Sequence, residues 1–149
     1  MLIYVCLSSH GFGHAARQAA MLARLHRLQP SWRLVVSSMV DPSFLALVLR
    51  GVPVTKRAVR WDVGMLQADA LGSDQLATLQ ALEQLQADLP RQLNEEVAWI
   101  RAQDDQVAVL VDIPPAAAEL AWRLHAPLIW MGNFGWDDIY GPLGPAFQG

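Results

Sequence analysis

Leu2-Ile3-Tyr4-Val5-Cys6-Leu7 runs directly into Ser8-Ser9-His10-Gly11-Phe12-Gly13-His14-Ala15-Ala16-Arg17, and the reading of this junction decides the fold. An unbroken apolar run closed by serines suits a strand buried on both faces of a parallel sheet. From His14 to Leu28 the spacing changes to threes and fours, with Ala15, Ala19, Leu22, Leu25 and Leu28 on one face, which predicts a helix. A strand, a glycine-rich turn and a helix open a βαβ unit.

The alternation continues outward from this junction. Leu34 to Val36 reads as a second strand. Asp41-Pro42 supplies an N-cap and a first-turn proline for a helix through Leu49, and Gly51 ends that helix before a strand near Val52 to Thr55. Between Ser73 and Arg101 the residues Leu76, Leu79, Leu82, Leu85, Leu89, Leu93, Val97 and Ile100 mark a long helix, which Pro90 is expected to kink or divide. Val107 to Val111 is a fourth strand, Pro114-Pro115 opens a helix through Leu124, and Leu128 to Met131 is a fifth strand. The tail Gly141 to Gly149 reads as a frayed end or the start of an interdomain connection. These elements predict an α/β, doubly wound parallel sheet of Rossmann type, strand order 3-2-1-4-5, because right-handed crossovers reverse direction once.

Composition narrows the class. The chain has 149 residues, 53% apolar and 17% charged, which fits one domain spanning residues 1–149 with a real core and excludes disorder. Eleven basic residues stand against 14 acidic ones with no block of like charge, so no nucleic-acid footprint is expected. Ten of the eleven are Arg and only Lys56 is Lys, which disfavours polybasic membrane attachment. No stretch has the length of a transmembrane segment, and no basic region precedes the opening apolar run. Cys6, the only cysteine, falls inside an apolar run and reads as a buried thiol. A soluble, cytoplasmic protein is expected.

In such a sheet a ligand lies at the carboxyl ends of the strands, beside the switch point between strands one and four. Gly11, Gly13 and Ala16 satisfy G-x-G-x-x-A there, but a dinucleotide also needs an acidic residue ending strand two, and that strand ends in Ser37-Ser38-Met39. No G-K-[ST] follows a glycine loop, so a P-loop is excluded. The distinguishing feature is the pair His10 and His14, imidazoles that exchange protons near neutral pH. Two His four apart also resemble metal ligands, yet no nearby Cys or Glu completes a set, and no metal is assigned. The structural alternative is that either His only caps or packs the helix start. Asp112, ending strand four, is positioned either to accept a hydrogen bond from His14 and set its tautomer or to cap the helix at Pro114; the two roles are compatible. Asp62 to Leu71, with Gln67 within it, reads as a loop lining the cleft, and Asn133, Phe134, Trp136 and Asp137 follow strand five toward the same place.

Four segments together carry a resemblance: His10 to Arg17, Asp62 to Leu71, Asp112-Ile113-Pro114 and Asn133-Phe134-Gly135-Trp136-Asp137. In order, and over nearly the whole chain, they resemble the glycosyltransferase-like domain at the amino end of plant L-arabinokinases and its bacterial relatives. That domain is similar to the N-terminal half of GT-B glycosyltransferases, which bind the acceptor with this half and the nucleotide-sugar with the other. The resemblance implies that Gly13-His14 supplies a general base oriented by Asp112, with His10, Gly11, Gly13, Arg17, Asp62, Gln67, Asn133, Trp136 and Asp137 on the substrate side. It implies no metal and no cofactor, with a nucleotide-sugar as co-substrate and a small-molecule or glycan acceptor. The C-terminal donor domain is absent from these 149 residues and is expected from a longer protein or a partner chain, so that the complete assembly would act as a hexosyltransferase and this half alone would be inactive. The rival reading is a non-catalytic sugar- or nucleotide-binding or regulatory module, like the domain fused to a sugar kinase.

Overall fold

The structure, a computed structural model, describes residues 1–68 and 72–141. Its elements are β1 (Leu2–Leu7), α1 (Phe12–Leu28), β2 (Arg33–Ser37), α2 (Pro42–Val48), β3 (Val54–Arg57), α3 (Gln75–Arg101), β4 (Val107–Asp112), α4 (Ala116–Leu124), β5 (Leu128–Met131) and α5 (Trp136–Tyr140). All four strand pairings are parallel and the order is β3-β2-β1-β4-β5, as the βα alternation predicts.

Strand parity sorts the core into two layers. Leu2, Tyr4 and Cys6 of β1, with Val109 and Val111 of β4, face Leu93, Val97 and Ile100 of α3 and Ala117, Leu120 and Ala121 of α4. The intervening Ile3, Val5 and Leu7, with Ala108 and Leu110, face Ala15, Ala19 and Leu22 of α1 and Leu45 and Leu49 of α2. Helix α1 follows Gly11, whose φ of 83° suits only glycine, and among the described residues no side chain caps it. A missing cap costs about 1 kcal/mol. Burying one leucine such as Leu22, fully shielded from solvent, returns about 2 kcal/mol, so packing rather than capping holds the helix.

Four details differ from expectation. β3 begins at Val54 because the Val52 N–H is used on Leu49 O to close the turn after α2, and Pro53 has no N–H to give the ladder. Pro90 does not divide α3, which runs unbroken to Arg101; the proline is exposed, so the carbonyl it leaves unpaired is on the solvent side. α4 begins at Ala116, after Pro114 and Pro115 have each accepted a turn bond from Ala117 and Ala118. α5, where no helix was expected, forms where the Gly135 N–H donates to Asp138 Oδ2 at 2.9 Å. Of the tail Gly141 to Gly149 only Gly141 lies within the described residues, and Asp69 to Leu71 lie outside them.

Beneath the sheet a polar knot ties α3 to β1 and β3. Glu96, 3% exposed, accepts Arg57 Nε at 2.5 Å and Arg57 Nη2 at 2.6 Å, and also the Tyr4 hydroxyl. The Arg57 guanidinium lies 4.2 Å over the Trp99 ring, adding a cation–π contact. Removing one partner of such a buried pair is far more damaging than the pair is stabilising, because a charge is left unpaired.

Burial raises both tyrosines of the chain above the ordinary phenol range; nearby charge adds to it, from Cys6 and Glu96 for Tyr4 and from Asp62 for Tyr140. The unfolded phenols ionise near pH ~10 while the folded ones stay neutral, so this contribution to stability is intact below about pH 10 and is lost as pH rises past it. Ultraviolet titration of the native protein should show no phenolate near pH ~10, then a cooperative rise that coincides with loss of circular dichroism. The denatured chain should titrate near pH ~10. Phenolate appearing near that pH with the fold intact would show the two hydroxyls to be free.

Candidate active site

The parity that sorts the core also aims Asp112. Val109 and Val111 point to α3 and α4, so Asp112, in register with Leu7, points to the α1 side. Across from it α1 presents His14, Arg17 and Gln18, three residues spaced by three and four on one helical face. Asp112 is fully buried and accepts from all three. His14 Nδ1 is 2.9 Å and Arg17 Nη2 2.5 Å from Oδ1, while Arg17 Nε at 3.1 Å and Gln18 Nε2 at 2.7 Å serve Oδ2. Two donors per oxygen nearly fill the acceptor capacity of a carboxylate.

This arrangement sets the His14 tautomer. An ionised Asp112 can only accept, so the proton on the bond to His14 lies on Nδ1, which in the neutral imidazole leaves the lone pair on Nε2. The His14 side chain is 12% exposed, at the carboxyl edge of the sheet. Arg17 neutralises Asp112 and its own guanidinium is raised above its ordinary value, first by that hydrogen bond. Asp112 therefore acts on His14 mainly by holding the ring. No side-chain bond to the α4 N-terminus is formed, so the capping alternative for Asp112 is not realised.

A ring of aromatic contacts surrounds the pair. His14 meets Phe134 edge-on at 5.9 Å, Phe134 meets Trp136 at 5.9 Å, and His10 meets Trp136 at 5.4 Å. Trp136 stacks on Tyr140, whose hydroxyl donates to Val63 O. His10 lies on the backbone of Gly64, where an added Cβ would fall 1.8 Å from the imidazole Nδ1. Ile113, buried directly after Asp112, has φ 81°, a left-handed conformation that costs a β-branched residue on the order of 1–3 kcal/mol. Its packing against Trp136 and Tyr140 holds it there.

The sequence candidates are thus partly assembled. His10, His14, Asp112, Arg17, Asn133 and Trp136 converge, Asn133 through a 3.4 Å bond from Arg17 Nη1. Gly11 and Gly13 stand over open space at the α1 start. Asp62 is also present, but behind Trp136, accepting its indole N–H at 2.8 Å. Asp137 is exposed with its carboxyl folded against Gly135. Gln67 pairs by its backbone with Ser73, and among the described residues its side chain makes no hydrogen bond to the cluster. Two contributors were not legible: Gln18, whose signal was a polar residue one helical turn after His14 and beside the buried Ala15, Ala19 and Leu22, and Gly64. Among the described residues no group of three or more His, Cys, Asp or Glu is placed to hold a metal ion, and no helix is long and apolar enough to cross a membrane.

No family model matches the chain. Its fold is shared with the crystal structure of the glycotransferase of kitacinnamycin, at a TM-score of 0.58 and 17% identity, over 99% of this chain and 37% of that one. The likeness is one of fold: the chain has the parallel, doubly wound α/β architecture found in that protein. In sequence it is similar to L-arabinokinase of Arabidopsis thaliana, 32% identical over 137 residues, which is 90% of this chain and 13% of the kinase. The resemblance drawn from the four motifs is met by both.

Replacing Asp112 by Asn removes the charge that Arg17 and Gln18 converge on. Because the Arg17 side chain is 36% exposed and can turn to water, the expected loss is about 2–3 kcal/mol in chemical denaturation, below the 3–5 kcal/mol of a fully enclosed pair. Gly64→Ala should instead leave stability within about 1 kcal/mol and displace His10 from Trp136. The proton resonances of the His10 ring should shift in that variant; if they do not, His10 is not seated on Gly64 in solution.

Proposed function

We propose that this chain is the acceptor-side half of a GT-B glycosyltransferase, acting in the cytoplasm, and that His14 is its general base. In this reading Nε2 of His14 takes the proton of an acceptor hydroxyl as that oxygen attacks the anomeric carbon of a nucleotide-sugar, and the nucleoside diphosphate departs. The observation that carries the proposal is the 2.9 Å bond from His14 to a buried Asp112 at the switch point of the sheet. It leaves the other imidazole nitrogen with a lone pair for a proton, whereas among the described residues His10 has no carboxylate partner. Arg17 and Gln18 are positioning residues, since each acts through Asp112. Above them the uncapped first turn of α1, with open space at Gly11 and Gly13, turns backbone N–H groups toward whatever fills the cleft. Asn133, Trp136, Asp137 and Gln67 are assigned to the acceptor, and Asp62 acts on it only through Trp136, whose indole N–H it holds from behind.

The chain spans 37% of its structural relative and 13% of the kinase, so grip on the donor is assigned to a second domain, in a longer protein or a partner chain. Without it the groups that stabilise the leaving diphosphate are missing, and that electrostatic contribution is usually the largest in catalysis. A second reading has its own support. The sequence relative is a kinase of which this segment is a small part, which suits a sugar- or nucleotide-binding module that does no chemistry.

A general base contributes ~10²–10⁴-fold, or about 3–5 kcal/mol of barrier. In the complete or reconstituted enzyme, His14→Ala should lower kcat by that factor with the fold retained, and His10→Ala should cost less. Arg17→Ala should lower kcat through a misplaced His14, with KM for the nucleotide-sugar unchanged. The assay is release of nucleoside diphosphate in the presence of acceptor. An inverted ranking makes His10 the base, and no effect from either histidine favours the binding module.

A further inference from the structure

The sheet has two free edges, and they are finished in opposite ways. At β3 the exposed residues are Thr55 and Lys56, the latter the only lysine of the chain, which is how natural sheets blunt an edge. At β5 three consecutive apolar residues stay open to solvent: Leu128 is 38%, Ile129 52% and Trp130 48% exposed. No proline or charge interrupts this strand, and its register with β4 contains no bulge. Both of its faces are bare. Leu128 and Trp130, in register with Val109 and Val111, lie on the side of α3 and α4, while Ile129, in register with Leu110, lies on the side of α1.

The backbone of β5 states what can pair with it. The Val109 N–H donates to Pro127 O at 2.9 Å, so the Pro127 carbonyl is turned toward β4, and with a period of two so are the polar groups of Ile129 and Met131. The N–H and C=O of Leu128 and of Trp130 therefore point out of the free edge. These two residues stand symmetrically about Ile129, and a strand with that pattern is complementary to a second copy of itself run antiparallel. The side chains agree. Leu128 and Trp130 share a face, so self-pairing sets each Leu128 beside the partner's Trp130, and Ile129 meets the partner's Ile129 on the other face. A different strand would have to be apolar on both faces to match, and β5 is itself such a strand.

We propose that β5 is the interface of a symmetric dimer, in which two copies of the chain pair their β5 strands antiparallel about a two-fold axis at Ile129. The pairing joins two five-stranded sheets into one continuous sheet. Leu128 exchanges both of its backbone hydrogen bonds with the partner's Trp130, and Trp130 exchanges both of its own with the partner's Leu128. The contact is small by the standard of stable interfaces, so the dimer is weak and dissociates on dilution. Antiparallel strands direct the two carboxyl edges to opposite ends of the joined sheet, so the pairing does not set one cleft against the other.

Sedimentation equilibrium of the whole chain tests this. At concentrations on the order of 100 μM the mass should be twice the 16.4 kDa of one chain and should fall toward one chain on dilution. Ile129→Lys sets two ammonium groups against each other across the axis and should weaken the dimer by at least about tenfold. The circular dichroism of that variant should be unchanged, because the side chain is half exposed. Leu47→Lys, at an equally open apolar residue of α2 far from this edge in the sheet order, should leave the dimer intact. Register is read by Ile129→Cys. Residues facing each other in a non-hydrogen-bonded antiparallel pair have Cα atoms about 4.5 Å apart, within disulfide range, and the native Cys6 is buried. Mild oxidation should therefore link Ile129→Cys into a covalent dimer and leave Thr55→Cys, at the other edge, monomeric; this readout stands even if the Lys variant does not fold. A chain that is monomeric at that concentration, a dimer indifferent to Ile129→Lys, or an Ile129→Cys variant that links no faster than Thr55→Cys overturns the proposal.

Discussion

Asp112 is a fully buried carboxyl at the end of a strand, and the cleft is organised around satisfying it. An ionised group removed from water must be repaid by donors close at hand, and here three side chains of a single helix supply four contacts. That demand locks α1 against β4 at the sheet's carboxyl edge. It brings His14 to that edge, sets which imidazole nitrogen carries the proton, and turns Arg17 into a brace instead of a free cation. The neighbouring Ile113 bears a left-handed backbone angle as part of the same turn, and the aromatic cluster pressing on it keeps the strand end bent.

The aromatic residues link this acid to a second one. Phe134 touches His14, Trp136 touches Phe134 and His10, and the indole N–H of Trp136 is committed to Asp62. The two buried carboxylates are satisfied very differently. Asp112 has donors on both oxygens, whereas among the described residues Asp62 has one donor and a buried oxygen without a partner. The first arrangement holds the His14 ring in one orientation, and the second leaves a buried oxygen unpaired.

A third acid, Glu96, does a different job on the opposite layer of the core. It is closed off by Arg57 and Tyr4, and it anchors the long α3 to the sheet beneath the cleft. Without that anchor the N-terminal half of α3, which supplies Leu82, Leu85 and Leu89 to a hollow lined by Trp136 and Tyr140, would lack a fixed base. The three acids thus divide the work of positioning the helices, the histidine and the aromatic wall.

By itself the sequence determined the alternation of strands and helices, the parallel order of the sheet and the gathering of His14 and Asp112 at one edge. These follow from local rules: runs of apolar residues, three-four spacing, and the one reversal that right-handed crossovers permit. Residues close to a strand end or a glycine turn were legible for the same reason. Only the tertiary structure decided that Arg17 is spent on Asp112, that Gln18 joins it, that His10 rests on Gly64, and that Asp62 lies behind Trp136 instead of in the open cleft. Those are contacts between segments far apart in the chain, and a residue's type fixes what it can bond to but not which partner the packing of other elements brings within 3 Å. The unbroken passage of α3 through Pro90 is of the same kind. Local propensity counts the lost hydrogen bond, and only the fold shows that the proline falls on the face where water can replace it.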